Sequence, residues 1–330
     1  MKNSKFDHIR AVACMMVILL HTAGSSVAVF DGYFNWYHAL CVSSFTRACV
    51  PLFVMLSGVL FILKEEEIFN FYKKRLTRVL IPFFLWAGIF FLFKFFYLHK
   101  SFSPAAIVSE IISGPVYYHF WYLYMIIGLY LFIPFFLPWL RKAANTELIL
   151  FILIWQIFQN GYLLYHMRFG LNPGFGLINF SGFAGYLVTG VFIFKNATKL
   201  SSFHFSLIAL TGIALTFVIA FYFSVHSPFL VFNDYLMLPT FISAFGFFGF
   251  FLKSEIPKFI SIFFSLISKY SFGIYFFHVI PLKLLLDNHL LTLNGSGIGG
   301  ILFFWLICML VSLAVILLLS KIPVAGKYLS

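Results

Sequence analysis

Apolar runs of membrane length recur from one end of the chain to the other, and they constrain its fold more than any other feature. About 20 consecutive apolar residues cross the ~30 Å hydrocarbon core of a bilayer as one helix. Ten such runs can be counted, over residues 9–29, 39–63, 77–98, 119–139, 147–166, 176–195, 204–224, 233–252, 268–288 and 299–320. Charged residues make up 10% of the chain, against about 25% in ordinary globular domains. The runs therefore predict an all-α polytopic membrane bundle of about ten transmembrane helices. No hydrophilic stretch is long enough for a soluble domain, so residues 1–330 read as one integral-membrane domain.

A net charge of +12 would suggest nucleic acid if the cations were clustered on one soluble face. They lie instead in short loops between apolar runs, as topology signals do. With the N-terminus in the cytoplasm, the inner loops hold Lys64 with Lys73, Lys74, Arg75 and Arg78, then Arg141 and Lys142, Lys195 and Lys199, Lys253 and Lys258, and finally Lys321 and Lys327. The opposite loops hold chiefly Lys100 and Arg168. This bias predicts both termini in the cytoplasm. The basic start MKNSKFDHIR precedes an apolar run without a small-residue cleavage site, so it reads as an uncleaved signal-anchor. Cys14, Cys41, Cys49 and Cys308 show no metal-type spacing, and buried thiols are expected, with no metal site.

Two outer loops carry structure signals. In 99–118, Ser103 followed by Pro104 predicts a short capped helix lying on the surface. The Gly-, Asn- and Pro-rich stretch 166–182 suits an irregular rim or lid.

Ionisable residues inside the runs mark the candidate site, because a charge in a bilayer costs several kcal/mol unless it faces a protein interior or a wet cavity. Arg10 and His21 are eleven residues apart, which at about 100° and 1.5 Å per residue puts them on one stripe roughly 16 Å apart. Asp7, one turn before Arg10, can cap the helix and pair with it. Singly, Arg10 also fits a snorkelling anchor and His21 a packed core residue. Arg47 lies inside the second run, with Pro51 freeing a carbonyl and Ser57-Gly58 permitting close helix approach. Arg75 and Arg78, with Lys73 and Lys74 beside them, can clamp phosphates. Plain topology or contact with anionic lipid accounts for that cluster equally well. His119 stands among Trp121, Tyr122 and other aromatics at an interface, where an aromatic belt is the ordinary reading. Ser271, Tyr275 and His278 share a stripe on the ninth run that should face the bundle interior. Acids are scarce; Asp234 and Glu110 are the candidates nearest this set on the outer side, so a histidine acting alone as general base is the simpler chemistry.

These residues fall into strings that resemble the acyltransferase-3 family, which includes bacterial O-acetyltransferases of surface polysaccharides. The strings are D-x-x-R-x(10)-H (Asp7, Arg10, His21), R-x-x-V-P-L-F-x-M-x-S-G (from Arg47 to Gly58), R-x-x-R (Arg75, Arg78), the string around His119 and Trp121, and S-x-G-I-Y-x-x-H (Ser271 to His278). They occur in order along most of the chain. The resemblance implies transfer of an acyl group, usually acetyl, from acyl-CoA to a carbohydrate hydroxyl, in the bacterial inner membrane. It implies acetyl-CoA as co-substrate, a carbohydrate acceptor, contact with membrane lipid, no metal and no nucleic acid. Arg75, Arg78, Lys74 and Arg10 would meet the CoA. His21 would activate the hydroxyl or carry the acyl group, with Arg10, Arg47 and His119 also in the catalytic set. Trp121, Tyr122, Ser271, Tyr275 and His278 would contact substrate. The competing reading is a secondary transporter or glycolipid flippase with the same residues as its path, although no repeat symmetry of the transporter kind is visible.

Overall fold

The computed structural model describes residues 4–27, 34–169, 182–226, 234–287, 297–323 and 326–330. Among them every regular element is helical: α1 (Ser4–Val27), α2 (Phe34–Thr46), α3 (Cys49–Ile62), α4 (Ile68–Phe96), α5 (Pro104–Ser113), α6 (Trp121–Lys142), α7 (Asn145–Phe169), α8 (Ala184–Asn196), α9 (Ser202–His226), α10 (Leu238–Lys253), α11 (Lys258–Phe277), α12 (Val279–Asp287), α13 (Gly297–Leu319) and α14 (Gly326–Leu329). Among the described residues seven segments are long and apolar enough to cross a membrane: Ser4–Gly24, Trp36–Ile62, Ile68–Phe96, Tyr118–Lys142, Ser202–Val225, Lys258–Phe277 and Gly297–Leu319. The protein is a multi-pass membrane protein.

The other three expected spans correspond to α7, α8 and α10. As described, α8 and α10 hold 13 and 16 residues, and α7 carries Gln156, Gln159 and Asn160 in mid-helix. Of the irregular rim expected over 166–182, residues 166–169 instead form the last turn of α7, and 170–181 lie outside the described residues. The surface helix expected after Ser103 is α5, with Pro104 in its first turn and the Ser103 hydroxyl accepting from the Ala106 amide at 3.2 Å.

Two runs read as single helices are broken. The span 39–63 divides at Arg47-Ala48 into α2 and α3. The run expected over 268–288 starts at Lys258 and stops at His278, where α12 takes over. Pro281 cannot donate to the Phe277 carbonyl and its ring crowds that carbonyl, which ends the helix there.

Helix α1 lies at the centre. Its spanning window is 83% buried, against 28% for that of α9, and it packs against α2, α3, α11 and α13. Phe84, Phe132, Phe135, Leu210 and Leu318 are exposed around the outside, an apolar surface suited to lipid and not to water. Close packing of α3 on α8 depends on glycine. A Cβ on Gly58 would lie 2.5 Å from the Leu187 carbonyl oxygen, and one on Gly190 would lie 2.3 Å from that of Met55. Small residues let backbones approach where no hydrophobic effect drives helices together.

Contacts between α1 and the segment 255–278, which contains α11, advance together along both. Lys5 pairs with Glu255, His8 with Ser261, Arg10 with Ser268, Cys14 with the Ser271 carbonyl and His21 with His278. The two helices therefore run parallel, and the polar stripe of each faces that of the other.

Candidate functional site

The first cluster gathers at the far end of this ladder. His21 Nδ1 and His278 Nε2 are 2.9 Å apart. His278 Nδ1 faces two carbonyl oxygens, of Tyr275 at 2.7 Å and Ile274 at 3.2 Å. A carbonyl only accepts, so the Nδ1 of His278 carries the proton and its Nε2 is a lone pair. That lone pair must receive a proton from His21 Nδ1. It follows that His21 Nε2 is the free basic nitrogen of the pair. A peptide carbonyl here occupies the place that a carboxylate takes in acid–histidine pairs.

Around the pair, the Tyr118 ring packs edge-on to His21 at 5.2 Å. The His119 ring lies 6.4 Å from that of His21 and 5.5 Å from that of His278. His119 is buried; neither of its nitrogens makes a well-formed hydrogen bond, although the Phe276 backbone is close. Arg47, at the α2/α3 break, lies within electrostatic reach of His21. Its guanidinium sits 5.1 Å over the Tyr235 ring, and Trp121 packs on Tyr235 at 5.4 Å and Phe183 at 5.8 Å.

The second cluster is a cavity of about 280 Å³ lined by Arg10, Lys64, Arg75, Arg78, Tyr122 and Tyr275, with Phe53, Ser57, Tyr130 and Ser271 among its other walls. Lys64 and Arg78 are exposed, so it opens at the α3/α4 loop. Arg10 is held in place by Asp7 at 3.4 Å and by the Ser268 hydroxyl at 3.1 Å. Ser268 in turn donates to Asp7 at 2.8 Å. The expected Asp7–Arg10 pair is present, with Ser268 as its third member. Arg75 pairs with Glu66 at 3.1 Å and lies over the rings of Phe61 and Phe71.

Most of the residues singled out in the sequence thus come together. His21, His119, Tyr275 and His278 form one group, and Arg10, Arg75, Arg78, Tyr122, Ser271 and Tyr275 border one cavity. Lys74 does not line it. Its ammonium pairs with Glu66 at 3.1 Å and is half exposed, and Lys64 is the lysine on the cavity wall. His278 contacts His21 as well as lying on one stripe with Ser271 and Tyr275. Tyr118, Tyr235, Lys64, Glu66 and Ser268 were missed. Ser268 alone carried a readable signal, since it extends the Ser271–Tyr275–His278 stripe by one turn. Three of the four cysteines are buried and Cys41 is exposed. Among the described residues no group of His, Cys, Asp and Glu is arranged to hold a metal ion.

Residues 3–321 match the family model for the acyltransferase-3 type, described as an acyltransferase domain. No curated protein and no solved structure matches the chain.

Proposed function

We infer the reaction from one premise: the chain belongs to the acyltransferase-3 family, and is accordingly a membrane acyltransferase. The reading proposed is O-acyl transfer, with acetyl as the group, from acyl-CoA to a hydroxyl of a cell-surface polysaccharide or its lipid-linked precursor. The observation that carries it is a histidine with a free Nε2, fixed by a second histidine and a carbonyl, standing beyond an arginine-lined cavity.

The chemistry follows from the two clusters. Lys64, Arg75, Arg78 and Arg10 suit the phosphates of CoA, which charge-assisted hydrogen bonds hold strongly. At the other end, His21 Nε2 takes the proton of the acceptor hydroxyl as its oxygen attacks the thioester carbonyl. The new C–O bond forms, the C–S bond breaks, and the departing thiolate recovers the proton from His21. Arg47 and His119, both near His21, would stabilise the negative charge that develops on the carbonyl oxygen. Trp121, beside Tyr235, is the aromatic proposed to contact the sugar.

Ten spans with both termini in the cytoplasm remain the topology proposed. The parallel course of α1 and α11 supports it. Counting only the seven long segments, α11 would be the sixth crossing and antiparallel to α1. Adding α7, α8 and α10 makes it the ninth, which is parallel. The charge bias then puts the Arg10 end of both helices, and the cavity, on the cytoplasmic side of a bacterial inner membrane. Within the family, chain length and motif wording favour the enterobacterial common antigen O-acetyltransferase type.

The test is His21→Ala. Loss of an acetyl increment on surface glycans, by mass spectrometry, with normal membrane insertion is expected. Full acetylation by that variant would overturn the role of His21, and absence of any acyl-CoA turnover by the native protein would overturn the reaction.

A further inference from the structure

The walls of the arginine-lined cavity do not include His21 or His278; among its lining residues, Tyr275 is the one whose ring also packs against the histidines, with Tyr122 beside it. Tyr275 lines the cavity, yet its ring is 5.5 Å from that of His119 and 6.1 Å from that of His278. Tyr122 lines the same end and meets Tyr275 edge-to-face at 5.7 Å. Phe53 backs Tyr122 at 6.0 Å. The Tyr275 hydroxyl donates to the His119 carbonyl on the facing segment, which holds the ring across the passage. Along α11, Tyr275 is seven residues past Ser268, the partner of Arg10, or about 10 Å at 1.5 Å per residue. His278 is one turn further. A thioester whose phosphates are held near Arg10 and Arg78 must bring its carbonyl past these two rings to reach His21.

We propose that Tyr122 and Tyr275 form the gate that sets acyl-chain length, admitting acetyl and excluding longer acyl groups. The inference rests on the acyl-transfer reading above. With the carbonyl at His21 the pantetheine arm lies between the rings and the acyl group beyond them. A two-carbon group asks little room there, whereas each further methylene must push against the Tyr275 ring, which packs on His119 and His278, is backed by Tyr122 and is tied by its hydroxyl to the opposite wall. Protein interiors are packed at crystal-like density and resist such displacement. Discrimination by about 10- to 200-fold per methylene is usual for a pocket closed in this way.

The experiment measures CoA release from acetyl-, butyryl- and hexanoyl-CoA by the full chain in membrane vesicles, with His21→Ala vesicles as blank. The native protein should prefer acetyl over butyryl by at least about 100-fold. Tyr122→Ala, which opens the cavity side, should raise the butyryl-to-acetyl ratio of kcat/KM at least tenfold. Tyr275→Phe keeps the ring but cuts its tie to the His119 carbonyl, and should raise the ratio in the same direction by a smaller factor; it decides the matter if Tyr122→Ala does not fold. A native protein that takes hexanoyl-CoA as readily as acetyl-CoA, or an unchanged ratio in the folded variants, overturns the gate while leaving acyl transfer intact. Absence of turnover with all three donors strikes the underlying reading instead.

Discussion

Replacing His278 tests the proton chain at its second link. In the native structure His21 Nδ1 donates to His278 Nε2 at 2.9 Å, and this contact keeps the lone pair on His21 Nε2. Leucine at 278 removes the acceptor. Leaving a buried donor unsatisfied costs about 1–3 kcal/mol. His21 can avoid that cost by moving its proton to Nε2, but the basic nitrogen is then blocked. At 1.4 kcal/mol per decade, the loss in productive base is about 5- to 150-fold. The upper bound is the roughly 10⁴-fold loss seen when a catalytic histidine of the serine-protease triad is given the wrong tautomer. His278→Leu should therefore lower kcat by about 100-fold. The KM for acetyl-CoA should hardly change, because His278 does not border the arginine-lined cavity. His278→Gln supplies a carboxamide oxygen that accepts where Nε2 did, and should stay within about tenfold of the native rate. Steady-state CoA release at saturating acetyl-CoA reads both variants, with thermal unfolding in detergent as the folding control. Equal losses in the leucine and glutamine variants, with both folded, would refute the tautomer argument and reduce His278 to a packing residue.

Three further outcomes are expected. Arg78 lines the cavity and is exposed, so Arg78→Ala should raise the KM for acetyl-CoA about tenfold, the worth of one charge-assisted hydrogen bond, with kcat nearly unchanged. At Glu66, desolvation pushes the carboxyl pKa up, but the Lys74 hydrogen bond and the charges of Arg75, Lys74 and Lys64 outweigh it and hold the group below its ordinary value. The stabilisation from this pairing is then complete above the ordinary glutamate range and lost as pH falls through the lowered value; melting curves of the native protein and Glu66→Gln should differ at neutral pH and converge only once the pH is below that range. Lys94 is buried and pairs with Glu110 on α5. Lys94→Met should cost stability at the lower end of the ~3–5 kcal/mol typical of a broken buried pair, and the double variant Lys94→Met/Glu110→Met should recover part of it; chemical denaturation of the four proteins gives the coupling.

The sequence made the membrane class and the polar stripes legible because both are written in local patterns. An apolar run of twenty residues has one physical solution, and residues three, four, seven or eleven apart share a helix face whatever the tertiary structure. Stripe membership placed Arg10 with His21, and Ser271 with Tyr275 and His278. What a stripe cannot tell is which other stripe it meets. That α1 lies parallel to α11, so that His21 reaches His278 and Arg10 reaches Ser268, is a contact across some 257 residues of chain. The same limit hid Tyr235 under Arg47 and Glu66 between Lys74 and Arg75. Lys74 was assigned by adjacency to Arg75, yet neighbours in sequence on a helix point about 100° apart. Helix length was misread for a different reason. Hydropathy sums are blind to a single break, so the runs through Arg47 and His278 passed as continuous.

Those two breaks have a common form. After the first, α3 begins Cys49-Val50-Pro51; after the second, α12 begins Val279-Ile280-Pro281. Each proline is the third residue of the restarted helix, where its missing N–H removes no bond that the first turn would have made. Its effect falls four residues back, on the carbonyl of Arg47 in one case and of Phe277 in the other. The backbone at Ala48 and His278 stays right-handed helical, but a carbonyl freed at membrane depth needs protein or a wet cavity around it, so a break of this kind has to face inward. The residue beside each break is then carried inward as well: Arg47 at the first, His278 at the second. Both lie around His21, which sits on an unbroken helix. The candidate site is thus one unbroken helix carrying His21, met by two helix interruptions carrying Arg47 and His278. Proline three or four residues after an ionisable residue, inside an apolar run, is the sequence signal that would have found them.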